Sequence, residues 1–114
     1  MTAHPDEAFK VVDAAEWAEA EAAGAYGGSA VDLADGYIHL SAEDQLAGTV
    51  SKHYAGRENL LLLTVDLTVL GQILVWEPSR GGALFPHIYG PLPVAAVTAK
   101  AAFSVDADGG MVFA

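Results

Sequence analysis

Two short segments contain the residues of this chain best suited to chemistry. They are Gly36–Ser41, with the sequence GYIHLS, and Phe85–Gly90, with the sequence FPHIYG. Each places a histidine, His39 or His87, among apolar and aromatic residues. An imidazole can give or take a proton near neutral pH, so both rings are candidates for acid–base chemistry. The pattern predicts a site but does not by itself name a reaction.

His39 is predicted to lie on a short strand just before a helix. Alternation along the strand would place Tyr37 and His39 on one face, lining a polar cleft. Ile38 and Leu40 would then face the core. Ser41 is predicted to be the helix N-cap, beside free N–H groups that can hold an anion. The alternative is a buried histidine bonded to a backbone carbonyl, with Ser41 serving only as a cap.

His87 and Tyr89 lie between prolines and precede Gly90, which permits an unusual turn. The stretch Phe85–Pro93 is therefore expected to be irregular and extended. A stiff loop that presents His87 and Tyr89 suits ligand binding, because little ordering entropy is lost when the ligand binds. The alternative is an aromatic plug that only packs.

Two charged residues complete the candidate site. Glu77 follows Trp76, and a carboxylate desolvated by an indole is expected to have a raised pKa, which suits general acid or base work. Arg80 could clamp a carboxylate or a phosphate. The alternatives are plain ion pairs or solubility. His39, His87 and Glu77 come from distant segments without His-x-x-x-His spacing, so no metal site is predicted.

Composition limits the classes of partner. The 114 residues predict one domain, 1–114, with a flexible arm over residues 1–7. A net charge of −10 disfavours binding to nucleic acid and to anionic membranes. There is no cysteine, which excludes disulfides and thiol catalysis. We find no apolar signal segment and no membrane-length apolar run, so a soluble cytoplasmic protein is expected. The sequence says nothing of oligomeric state.

Hydrophobic patterns predict an α+β fold with a mostly antiparallel sheet and two main helices early in the chain. The first helix is predicted over Ala14–Ala23, between an N-cap at Asp13 and a stop at Gly24. A second helix follows Ser41, and a buried strand is predicted over Leu60–Asp66. The later strands are predicted at Ile73–Glu77, Ala99–Val105 and Met111–Ala114.

The chain resembles the bacterial family called domain of unknown function 952 over about residues 9–97. The resemblance is carried by Glu16-Trp17, Ala25-Tyr26, Asp35–Ser41, Gln45, His53-Tyr54, Leu61–Asp66, Trp76-Glu77 and Phe85–Leu92. It implies a compact relative of the ADP-ribosyltransferase-like fold, a split sheet with a cleft that holds NAD in active members. His39 is similar in its setting to a histidine of RNA 2′-phosphotransferases, which would place it in the cleft with Ser41 nearby.

One departure from that superfamily concerns the first strand. The resemblance places Lys10 where the superfamily has a histidine that bonds the NAD ribose, and a protonated lysine cannot accept such a bond. We therefore expect a cleft for NAD or an ADP-ribose-like ligand, in an enzyme whose chemistry has changed. The alternatives are a non-catalytic small-molecule binding module and a structural or interaction domain.

Overall fold

The computed structural model describes residues 4–79 and 82–113. The described strands are β1 (Glu7–Asp13), β2 (Ala25–Tyr26), β3 (Ile38–His39), β4 (Leu60–Asp66), β5 (Leu74–Pro78), β6 (Leu84–Ile88), β7 (Leu92–Pro93), β8 (Val97–Val105) and β9 (Met111–Phe113). The described α-helices are α1 (Ala14–Ala23), α2 (Ala30–Asp35) and α3 (Glu43–His53), and short 3₁₀ turns lie at Leu67–Val69, Gly71–Ile73 and Val94–Ala96.

The strands form antiparallel sheets, as predicted for an α+β fold. A four-stranded sheet has the order β1-β4-β8-β9, and a three-stranded sheet has the order β3-β6-β5. β2 and β7 pair separately. A bridge between Phe9 and Ser41 joins the first strand to the chain just beyond β3, through hydrogen bonds of 2.8 and 2.9 Å. The two larger sheets are therefore connected at the place where β3 runs into α3.

The first helix begins and ends at the predicted residues. The Asp13 side chain accepts hydrogen bonds from the amides of Ala15 and Glu16. Gly24 ends the helix in the left-handed region, at φ 89°, where a residue without Cβ meets little strain. Buried Trp17 anchors the helix to the main core, where it packs near Tyr26.

Two local predictions need correction, and part of the segment expected to be a loose arm has contacts with the sheet. Ser41 does not cap α3: the N-cap is Ala42, whose amide donates to the Gln45 side chain at 2.9 Å. Residues 84–88 are extended, as predicted, but they are regular rather than irregular, because they form β6, the middle strand of its sheet. β1 begins at Glu7, inside the segment expected to be a loose arm, and the Asp6 carbonyl accepts from the Leu67 amide at 2.8 Å.

Strand alternation divides the three-stranded sheet into two faces, as the sequence predicts. Ile38 and Leu40 are each 2% exposed and belong to the main core. Tyr37 and His39 are half-buried on the other face. His39 lies directly opposite His87 in the β3–β6 register, so both imidazoles lie on this second face.

Candidate functional site

A cleft of 610 Å³ is lined by residues of β1, α2, β3, α3 and β6. Its volume lies within the range common for small-molecule sites. His39, His87, Lys10 and Ser41 all line it. The structure therefore brings both histidines to one cleft, as proposed from the sequence, whereas Glu77 and Tyr89 are not among its lining residues.

Asp32 of α2 is the centre of the polar contacts in this cleft. Its carboxylate is 2% exposed and accepts from Lys10 Nζ at 2.9 Å. It also accepts from His39 twice, at 2.6 Å from the ring Nδ1 and at 3.1 Å from the amide. The Ser29 amide donates to its second oxygen at 2.9 Å. A buried carboxylate needs such partners, because an unpaired charge in the interior is costly.

These partners shift the pKa of both members of the buried ion pair. Burial alone would raise the pKa of Asp32, but the hydrogen bond from His39, the charge of Lys10 and the Ser29 amide hold it well below its usual range. Burial lowers the pKa of Lys10, although the charge of Asp32 partly opposes that change. Asp32 is therefore ionised over the whole physiological range of pH.

The His39 ring lies between two carboxylates. Its Nδ1 faces Asp32, and its Nε2 lies 2.9 Å from Asp35 Oδ2. Asp35 is the last residue of α2 and its side chain is 47% exposed. One ring nitrogen is thus fixed by a buried group, while the other meets a group that can move into water.

His87 has a similar arrangement with a single carboxylate. Its Nδ1 lies 2.7 Å from Glu77 Oε1, which also accepts from the Tyr89 hydroxyl at 2.7 Å. The hydrogen bonds from Tyr89 and His87 lower the pKa of Glu77. The raised pKa predicted from the neighbouring Trp76 is therefore wrong. The bond to Glu77 in turn raises the pKa of Tyr89 to about 12.

Tyr37 connects the two histidine groups. Its ring centroid lies 4.7 Å from that of His39, 4.1 Å from that of His87 and 5.3 Å from that of Tyr89. The two imidazoles are themselves 5.5 Å apart, edge to face. The arrangement is a continuous aromatic surface whose polar ends are held by Asp32 and by Glu77.

The remaining predicted site residues have different settings. The Ser41 hydroxyl is buried and bonds the Thr49 hydroxyl at 2.8 Å, so it does not offer the free cap expected of it. Arg80 lies outside the described residues. Lys10, which the resemblance placed at the position of a ligand-binding histidine, lines the cleft and is paired with Asp32.

Charge is unevenly distributed over the molecule. Lys10, Lys52 and Arg57 line the cleft, out of five lysines and arginines in the chain. Four of the fifteen acids, Asp13, Glu16, Asp32 and Asp35, line it as well. Elsewhere in the described residues there are eleven acids and one basic residue, Lys100. The cleft therefore repels an anion less than the rest of the described chain does.

Sequence reasoning missed Asp32 and Asp35, which hold His39. A signal was available, because Lys10 interrupts an apolar strand and a buried ammonium requires an acid nearby. Tyr26 was also missed as a lining residue. It is 3% exposed, and its hydroxyl has no hydrogen-bond partner among the described residues. Among those residues no group of three or more histidine or acidic side chains is placed to hold a metal ion.

The fold and the site define a small α+β domain with a polar cleft formed around two carboxylate-bound histidines. Residues 11–100 match the family described as protein of unknown function DUF952, so the chain belongs to that family, as its motifs predicted. No curated protein matches the chain significantly. In the described part of the chain, no helix is long and apolar enough to cross a membrane.

Solved structures of a relative have the same fold. The crystal structure of protein CC0527 from Caulobacter crescentus is 51% identical, with a TM-score of 0.88 and 93% of each chain covered. A double mutant of CC0527 is 49% identical with the same TM-score and coverage. Its solution NMR structure is 51% identical, with a TM-score of 0.80, covering 92% of this chain and 90% of that one.

Proposed function

We propose that the cleft binds a small nucleotide of the NAD or ADP-ribose class. The observation that carries the proposal is the gathering of Lys10, Lys52 and Arg57 around one cleft in a chain of net charge −10. Basic side chains bind phosphate oxygens through charge-assisted hydrogen bonds. Lys10 is already paired with Asp32, so Lys52 and Arg57 are the cations that a diphosphate would engage.

Aromatic rings in the same cleft support the nucleotide class over simple anions. Tyr37, Tyr54 and Phe85 line it, and Tyr54 also lies under the Arg57 guanidinium at 5.3 Å. Nucleobases stack on such rings regardless of the identity of the base. A ligand with phosphates at one end and a planar ring at the other fits this combination.

An ADP-ribosyltransferase-like ancestry is part of the proposal. Two features support it: antiparallel sheets that meet at the Phe9–Ser41 bridge, and a cleft beside that junction. The chemistry of the ancestor does not follow from the fold. Lys10 donates to Asp32 and, while protonated, cannot accept a bond from a ribose hydroxyl. We therefore propose binding of the nucleotide without the ancestral transfer reaction.

Thermal unfolding with ADP-ribose or NAD tests the binding. At a hundredfold excess over Kd, a ligand that binds only the native state adds about 2.7 kcal/mol to the free energy of unfolding. That stabilisation raises Tm by about 10 °C for a domain of this size. No shift with either compound at millimolar concentration would overturn the proposal.

Paired charge variants test whether the cleft itself is responsible. Lys52→Gln and Arg57→Gln should each weaken ADP-ribose binding by about tenfold, the loss of one charge-assisted bond. Lys100→Gln is the matched control, because Lys100 pairs with Glu21 and does not line the cleft. Equal weakening by all three variants would mean that only overall charge matters, and would contradict a local site.

A further inference from the structure

We propose that His39 and His87 form a general acid–base pair that hydrolyses a phosphodiester bond of a small nucleotide. This inference rests on the proposed nucleotide-binding function and names the reaction performed in that cleft. Both histidines line the cleft, with ring centroids 5.5 Å apart. Each ring is held at Nδ1 by a carboxylate, which is how proteins orient a histidine for proton transfer.

His39 is the proton donor of the pair. Its two nitrogens lie 2.6 Å from Asp32 and 2.9 Å from Asp35. Ionised carboxylates only accept hydrogen bonds, so the positions of Asp32 and Asp35 suit a ring that carries a hydrogen on each nitrogen. Asp35 is half exposed, and a ligand oxygen that displaces it would receive the Nε2 hydrogen bond. Basic and acidic side chains alternate along a row of four groups in contact: Lys10, Asp32, His39 and Asp35.

His87 is the proton acceptor. Its Nδ1 donates to Glu77 at 2.7 Å, which fixes the ring and leaves Nε2 to accept a proton. Among the described groups, Tyr37 and His39 pack against this ring and Tyr89 shares Glu77 with it. His39 is faced by Asp32, Asp35, Tyr37 and His87, with Lys10 behind Asp32.

The reaction class follows from what such a pair can supply. In the step, His87 takes a proton from water as the water oxygen bonds to phosphorus. The bond from phosphorus to a ribose oxygen breaks, and His39 gives its proton to that oxygen. A ribose alkoxide is a strong base and a poor leaving group, so it needs this acid. Nicotinamide and phosphate are better leaving groups and do not need a general acid. A general acid therefore favours a phosphodiester with a ribose leaving group over the bonds that would be cleaved in NAD or ADP-ribose.

The size and charge of the substrate are also limited. A diester carries one negative charge per phosphate, which suits a cleft where four acids accompany three basic residues. A polymer would extend over the acidic remainder of a chain with net charge −10 and be repelled. The substrate is therefore a mononucleotide or dinucleotide diester.

Adenosine 2′,3′-cyclic monophosphate is the probe for this reaction, and ³¹P NMR distinguishes the diester from the monoester product. We expect conversion to a 2′- or 3′-monophosphate together with a thermal shift by ADP-ribose. If ADP-ribose and the cyclic nucleotide both bind but no monoester forms, the inference is overturned while the proposed function stands. If neither compound binds, the proposed function fails too.

Histidine variants assign the two roles. His39→Gln and His87→Gln should each lower the rate by at least about a hundredfold, the usual contribution of a general acid or base. The histidine control, His4→Gln, should leave the rate unchanged, because His4 stacks on Trp76 and does not line the cleft. Retention of the rate by either cleft variant overturns the pair.

The pH profile separates catalysis from a merely structural role. For the wild type we expect a bell-shaped rate, since one histidine must be protonated and the other neutral. Residual activity of His39→Gln should lose the fall at high pH, and that of His87→Gln the fall at low pH. Glu77→Gln changes a positioning residue, and should alter the low-pH limb without abolishing the rate. Unchanged limbs in all three variants contradict the assignment.

Discussion

Removal of the Asp32 carboxylate should cause a large loss of stability. Asp32→Ala leaves four donors without their acceptor: Lys10 Nζ, the His39 ring and amide, and the Ser29 amide. Removal of one partner from a buried ion pair costs about 3–5 kcal/mol, a figure that already includes the donors left unpaired, so we expect a loss of about 4 kcal/mol. That is a large part of the stability of a typical domain.

A graded series makes the prediction specific. Asp32→Asn keeps one oxygen acceptor but removes the charge, so the free energy of unfolding should fall by about 2–3 kcal/mol, less than for Asp32→Ala. Urea unfolding, followed by the fluorescence of buried Trp17, gives these values. In thermal melts the alanine variant should lose about 15 °C.

A surface ion pair serves as the matched control. Lys100 and Glu21 lie 2.9 Å apart, the same separation as Lys10 and Asp32, but their side chains are about half exposed. Solvent screens such a pair, so Glu21→Gln should leave the urea midpoint unchanged. If Asp32→Asn and Glu21→Gln have equal effects, burial of the Asp32 network does not stabilise this fold and the reasoning is refuted.

Three further predictions concern the same site. The pKa of Asp32 is lower in the folded than in the unfolded protein, so in acid the unfolded chain binds more protons at this residue. The contribution of Asp32 to the free energy of unfolding is therefore complete above about pH 5 and is lost as the pH falls below about 4. Melts between pH 2.5 and 7 should show a flatter acid limb for Asp32→Asn than for the wild type. Gly28→Ala should destabilise by more than about 1 kcal/mol, because φ is 114° and the new Cβ would lie 2.9 Å from the Asp32 Cβ. Gly27→Ala, with nothing within 4 Å, should melt like the wild type. Asp35→Ala removes the carboxylate from His39 Nε2 and should tighten ADP-ribose binding several-fold by calorimetry; weaker binding would mean that Asp35 assists the ligand instead.

Local rules predicted the elements whose ends are set by their own residues. The first helix follows from Asp13 and Gly24, and the strand Leu60–Asp66 follows from a largely apolar run of residues. Residues 84–88 were misjudged because Pro86 disfavours a central strand on local grounds. Pairing overrides this preference: the Pro86 carbonyl accepts from Leu40, and β5 lies on the other side.

The candidate site was predictable only in part, for a related reason. Alternation correctly placed His39 on the open face, and its pairing with His87 joins the two segments. The carboxylate that holds His39 belongs to α2, seven residues earlier, and no period or spacing in the sequence links the two. Ser41 was assigned a cap from residue type alone, whereas tertiary contacts bonded it to Thr49 and moved the cap to Ala42.

The polar contacts that hold α2 in place also belong to the candidate site. This six-residue helix exposes Val31 by 65% and Leu33 by 70%, while its Asp32 is 2% exposed. Burial of apolar surface therefore cannot hold the helix in place; the contacts of Asp32 with Lys10 and His39 do. Because the same contacts orient His39, we expect a substitution there to change both the stability of the fold and the proposed ligand binding. A loss of stability in such a variant is thus no evidence against a functional role, and only the pH limbs and ligand titrations separate the two.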